Sequence, residues 1–154
     1  GVDRFSVMTY DKNKMKGEPN APFPWVMGIM SGLSRVPAMR KKMLVGIPLY
    51  GWRGSDALTG DSVVEWLRVS RDPEKTLGDG DVEIVWDDGA KEHLWISQPR
   101  SRRAMGASSA IIGSYPTPAF INLRLALADN ESLGIAGAAL WELGQAMPLL
   151  LNCF

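Results

Sequence analysis

Apolar residues along this chain follow two different rhythms. Residues 5–10, Phe5-Ser-Val-Met-Thr-Tyr10, are β-branched and aromatic and stop at Asp11-Lys-Asn-Lys, which predicts a strand. Residues 17–24 hold Pro19, Pro22 and Pro24 and predict a loop. Apolar positions 25, 26, 29, 30 and 33 then recur at helical spacing, with Pro24 suited to the first turn. Residues 43–50, Met43-Leu-Val-Gly-Ile-Pro-Leu-Tyr50, predict a second, buried strand, and Pro48 should lie near its exit because it removes a ladder donor. Asp61 is the expected cap of a helix over 62–70, with Glu65 one place beyond a capping box. Residues 72–80 read as a polar turn. Residues 82–86, 93–96 and 110–112 read as three short antiparallel strands. Thr117-Pro118 opens a helix expected to run to about Gly134. Residues 135–141 are too apolar to alternate, as in a parallel strand covered on both faces. The order strand, helix, strand, excursion, helix, strand contains two βαβ crossovers and predicts an α/β sheet of parallel strands.

Composition narrows the function classes. With 17 basic and 17 acidic residues the formal net charge is zero, which removes the electrostatic footprint of a nucleic-acid or anionic-membrane binder. No apolar run approaches the roughly 18–20 residues of a membrane span. One Cys (Cys153) and one His (His93) exclude an internal disulfide and a Cys/His zinc site.

The expected parallel strands all end in an aromatic with polar company: Tyr10-Asp11, Tyr50-Gly-Trp52 and Trp141-Glu142. Parallel neighbours would gather these residues at one rim. Rings beside carboxylates suit sugars, whose C–H faces stack while their hydroxyls take hydrogen bonds; core packing with a polar handle is the other reading. Weaker signals are set aside. Asp79, Asp81 and Glu83 alternate like a carboxylate row, but no apolar strand precedes them. Asp11 to Gly17 fails as a calcium loop, because Met15 and Lys16 occupy its fifth and sixth positions. His93 has no nucleophile beside it in the chain, and the basic runs at 12–16, 40–42 and 100–103 read as solvated loops. Asn130-Glu-Ser132 matches the glycosylation sequon.

Met8-Thr-Tyr10-Asp11, together with Leu44-Val-Gly-Ile-Pro-Leu-Tyr-Gly51 and Trp141-Glu-Leu-Gly-Gln145, resembles the C-terminal part of a family 18 glycoside hydrolase domain, the family of chitinases and their lectin relatives. Asn20-Ala-Pro, Val85-Trp-Asp and Glu92-His93 belong to the same pattern, which spans nearly the whole chain. The resemblance implies strands six to eight of a TIM (β/α)8 barrel, with residues 1–52 and 116–154 as barrel and 53–115 as an α+β insertion after strand seven. It implies that Tyr10 hydrogen-bonds the N-acetyl carbonyl of a sugar, that Asp11 binds a hydroxyl or orients its neighbours, and that Trp141 forms the floor under the central sugar. Met8 and Tyr50 would line the cleft, Met8 sharing a strand face with Tyr10. The partner implied is a chitin-like or other N-acetylated oligosaccharide, with no cofactor or metal, in a secreted or lysosomal protein.

The family's proton donor closes an Asp-x-x-Asp-x-Asp-x-Glu row on strand four, a strand expected to lie outside this chain; the row at Asp79 to Glu83 falls in the insertion after strand seven and is a decoy by position. No catalytic residue is therefore assigned; Glu142 is a poor substitute, since Trp141 claims the inward position. The leading expectation is a carbohydrate-binding, chitinase-like segment. The alternatives are part of an active chitinase or endo-glucosaminidase using substrate assistance, and an α+β interaction domain without a sugar site. A complete barrel needs about 250 residues and at least about 200, so the 154 present are expected to be a fragment of the domain.

Overall fold

The computed structural model describes residues 1–13, 17–70, 79–99 and 110–154, with backbone only at 79–81 and 98–99. Strands β1 (Phe5–Val7), β2 (Met43–Pro48) and β8 (Gly137–Trp141) form a parallel sheet in the order β1-β2-β8. The helices α1 (Phe23–Ser34) and α4 (Pro118–Leu125) supply the crossovers, as the periodicity predicts, together with the short α2 (Pro37–Arg40). Pro24 stands in the first turn of α1, and Pro48 is the last residue of β2. Met43, Val45 and Ile47 of β2, with Leu49 just past it, join Val26 and Met30 of α1 and Phe120 and Ile121 of α4 in one buried cluster.

The excursion is a second sheet, all antiparallel, in the order β4-β3-β7-β6-β5. Its strands are β3 (Gly51–Arg53), β4 (Asp56–Leu58), β5 (Asp79–Asp87), β6 (Glu92–Pro99) and β7 (Ile111–Ser114). The helix α3 (Gly60–Ser70) packs Val63 and Trp66 into the shared core. Gly51 lets β3 lie close against its neighbour β7, because a Cβ there would run into the Ser114 carbonyl.

Several sequence expectations need correction. The first strand stops at Val7 rather than Tyr10: Thr9 turns in to donate its hydroxyl to Gly46 O (2.7 Å), and Asp11 takes a left-handed φ of 61°. Thr59, not Asp61, caps α3; its carbonyl accepts from Val63 N (3.0 Å) and its hydroxyl from Ser62 N (3.4 Å). Glu65 holds Arg68 one turn on, at 2.8 Å. Helix α4 begins as expected, with Thr117 capping Phe120 N, but ends at Leu125. Farther on, the Asn130 carboxamide accepts from Ser132 N and Oγ, a local turn that competes with helix. The last strand begins at Gly137 and is half-buried, not covered on both faces, because it is a sheet edge. The three short strands of the excursion are longer than expected, and β5 starts at Asp79, inside the segment read as turn. The three-residue strands β3 and β4, set by pairing with their neighbours, have no counterpart in the periodicity. Residues 14–16, 71–78 and 100–109, which include parts of the failed calcium loop, the polar turn and two basic runs, lie outside the described residues, as do the side chains of Asp79 and Asp81.

Candidate functional site

The ends of β1, β2 and β8 lie side by side. In the parallel register Val7 pairs with Val45 and Pro48 with Trp141, and Leu49 N donates to Trp141 O at 2.6 Å. The strand-end aromatics therefore do gather at one rim. Just past β1 the buried Tyr10 ring lies over Gly46, where a Cβ would stand 3.0 Å from Tyr10 Cε1 and collide with the Val7 carbonyl. Gly46 is the vacancy into which Tyr10 fits. Tyr10 meets Tyr50 edge to face at 6.2 Å between centroids, and Tyr50 meets Trp52 likewise at 5.9 Å.

Asp11 is the centre of this cluster. Its Oδ1 accepts from Tyr50 Oη at 2.6 Å and from Trp52 Nε1 at 2.9 Å. Tyr50 and Trp52 are two residues apart, so both can face Asp11 from the strand-exit segment. That spacing is the signal for Trp52, which the sequence gathers at the rim without giving it a role in binding. Burial, then the hydrogen bond and charge of Asp11, push the Tyr50 phenol well above its ordinary value. The Tyr10 phenol is raised by burial first and by Asp11 second. Both phenols are held as neutral donors, and the carboxylate is aimed by two donors into a half-open setting. Such a group can take a hydroxyl hydrogen bond from a ligand while the rings offer apolar faces.

Trp141 lies at the same rim with 53% of its surface exposed, beside Glu142, which is also exposed; the peptide bond between them is cis. Met8 is 72% exposed and Tyr10 is buried, so the expected shared face is not observed: the strand ends before either residue. His93 spends its Nδ1 on Thr117 Oγ1 (2.8 Å) and packs on Trp86.

A second polar cluster backs the first. Asn20 Oδ1 accepts from Asp11 N (2.9 Å), and Asn20 Nδ2 donates to Tyr50 O (3.4 Å). Asn20 N donates in turn to Glu92 Oε2 (2.9 Å), while Glu92 Oε1 accepts from Ala21 N (2.7 Å) and from Arg124 Nη2 (3.3 Å). Glu92 and Arg124 are 2% and 1% exposed. Burial pushes the Glu92 carboxyl up to about 7 against the pull of Arg124 and the two amides, and burial lowers Arg124 to about 10.

A cavity of about 510 Å³ opens elsewhere, lined by Arg53, Asp56, Leu58, Ser62, Glu65 and Trp66. It uses Arg53, whose side chain alternates with that of Trp52 on β3, and it contains none of the strand-end aromatics. Among the described residues no helix is long and apolar enough to cross a membrane.

No family model matches the sequence. Solved structures do match. A chitinase from Chromobacterium violaceum superposes with a TM-score of 0.72 at 19% identity, over 98% of this chain and 44% of that one. A class V chitinase from Pseudomonas fluorescens gives 0.71 at 22% identity, over 98% and 46%. YKL-39, solved in the presence of chitooligosaccharides, gives 0.67 at 12% identity, over 98% and 49%. The chain spans less than half the length of each of these proteins. What it shares with them, over nearly its whole length, is the fold of part of a chitinase.

Proposed function

We propose that this chain supplies one wall of a saccharide-binding site for N-acetylglucosamine-type, chitin-like oligosaccharides. The observation that carries this reading is the Asp11 carboxylate, aimed by Tyr50 Oη and Trp52 Nε1 and set at the same strand-end rim as the half-exposed Trp141. In this reading Trp141 stacks on a sugar face, Asp11 accepts a hydroxyl, and Tyr10 reaches the N-acetyl carbonyl. Tyr50 and Met8 line the cleft, Met8 through its exposed thioether. The shared fold with chitinases, and with a protein solved in the presence of chitooligosaccharides, supports it. By the resemblance of its motifs, β1, β2 and β8 correspond to strands six, seven and eight of a TIM barrel, and residues 53–115 to the family's α+β insertion. The same motifs resemble those of chitinase domain-containing protein 1, a saccharide-binding, chitinase-like protein, and by that resemblance the reading extends to a secreted or lysosomal setting.

Titration of the protein with chitooligosaccharides, followed by Trp fluorescence, tests the reading. A saturable change is expected. Burying one indole face contributes ~1.5–3 kcal/mol, so Trp141→Ala should weaken binding by roughly tenfold to a hundredfold. No fluorescence change in the parent protein would sink the saccharide reading in favour of an interaction domain. A second reading, that the parent is a hydrolase acting by substrate assistance, draws support from the two chitinases among the matching structures. Its proton donor would come from outside these residues. Release of shorter oligosaccharides by the full-length protein distinguishes the two.

A further inference from the structure

Asn20 occupies an unusual place for a loop residue: it is 3% exposed, and each of its polar groups is engaged. Its side chain reaches Asp11 N and Tyr50 O, and its backbone joins Glu92 Oε2 and, through its carbonyl, Lys12 N (3.1 Å). Such support favours the left-handed backbone of Asp11, a conformation that costs a residue with a Cβ some free energy, though Asp less than most. The support is itself anchored. Glu92 opens β6 of the insertion, and Arg124 of α4 presses its guanidinium on the Phe120 ring (3.5 Å to the centroid) while donating to the carbonyls of Ala21, Lys91 and Phe120.

We propose that Asn20, anchored by the Glu92–Arg124 pair, is the positioning residue of the strand-end site: it fixes the backbone of Asp11 and Tyr50 so that the carboxylate meets Tyr50 Oη and Trp52 Nε1 before any ligand arrives. This rests on the saccharide-binding reading for its purpose but not for its geometry. Asn20 touches main-chain groups beside the two residues that matter, and holding them preformed spares the ligand the cost of ordering them. The insertion thereby sets the site's shape from behind, through Glu92.

The indole N–H resonance of Trp52, assigned by its loss in Trp52→Phe, reports this geometry without any sugar. In Asn20→Ala the resonance should move toward that of a free indole, the Trp66 resonance should stay, and chitooligosaccharide affinity should fall by about tenfold. Glu92→Gln, which keeps shape but replaces one of the two oxygens that accept from Asn20 N and Ala21 N, should give the same signature more weakly, and serves if Asn20→Ala does not fold. An unmoved Trp52 resonance in a folded variant overturns the assignment, with the saccharide reading intact if wild-type binding is seen. A moved Trp52 resonance in a protein that binds no saccharide upholds the positioning role and removes the saccharide reading. Movement of the Trp66 resonance alongside it, or failure of both variants to fold, reduces Asn20 to a structural residue and overturns the proposal.

Discussion

Replacing Arg124 with Met would take the cation out of the buried cluster while keeping most of its volume. Glu92 would keep the amides of Asn20 and Ala21 at 2.9 and 2.7 Å, but no charge of opposite sign at 3.3 Å. Breaking a buried pair by removing one partner costs about 4 kcal/mol. The carbonyls of Ala21 and Lys91 also lose a donor. The cost should depend on pH. In the folded protein burial raises the Glu92 carboxyl to about 7, above its ordinary 4.5, against the pull of Arg124 and the two amides, with a small upward push from Asp87. The folded state therefore holds a proton that the unfolded state releases, and stability from this group is full below 4.5 and lost as pH rises through 7. Without Arg124 the folded value rises further, so the variant suffers most when Glu92 must ionise unpaired. At pH 8 the expected loss is about 4 kcal/mol; at pH 5, with a neutral carboxyl, about 2 kcal/mol remains for the two orphaned carbonyls. For a chain of this size, a loss of that order at pH 8 is a fall in Tm of about 8–16 °C. Urea unfolding followed by Trp fluorescence at both pH values measures the pair. A loss below about 1 kcal/mol, or an equal loss at both pH values, would refute the reasoning.

Two further substitutions probe the rim itself. Gly46→Ala should cost ~1–3 kcal/mol, because its methyl collides with the Val7 carbonyl and crowds Tyr10; thermal unfolding no different from the parent would contradict the packing described. Asp11→Asn removes the charge that helps raise the Tyr50 and Tyr10 phenols, so ultraviolet titration should show phenols ionising at lower pH than in the parent. A superimposable titration curve would mean that Asp11 does not govern them.

The crossover architecture was legible because it rests on local signals. The apolar stripe of α1, the Thr-Pro start of α4 and the continuous apolar run of β2 each act within one element. The meeting of Tyr10, Asp11 and Tyr50 was legible too, since parallel strands put their exits on one edge. What escaped depends on residues far apart in the chain. The early end of β1 is dictated by Gly46 accepting Thr9 and leaving room for Tyr10. Helix α3 starts earlier than expected because Thr59 outcompetes Asp61 for the cap. Asn20 and Glu92 were visible as motif residues, yet nothing local marks them as partners of each other or of Arg124. Trp141 looked like the end of a covered strand, and its exposure follows from the place of β8 at the sheet edge.

The turn from Asp87 to Glu92 is joined to the start of α1 by Phe23 N to Ala90 O at 2.8 Å and by the two amides on Glu92. Those partners are separated by 71 and 72 residues, and Arg124 reaches back 103 residues to Ala21. Contacts of such sequence span close large loops and lie on the slow side of folding, after local helices and hairpins have formed. Asp11 is therefore locked in place only when residues from both ends of the described chain have met. A nascent or locally opened molecule would have its strands and helices before it had this cluster, which makes the geometry around Asp11 a late reporter of complete folding rather than of secondary structure.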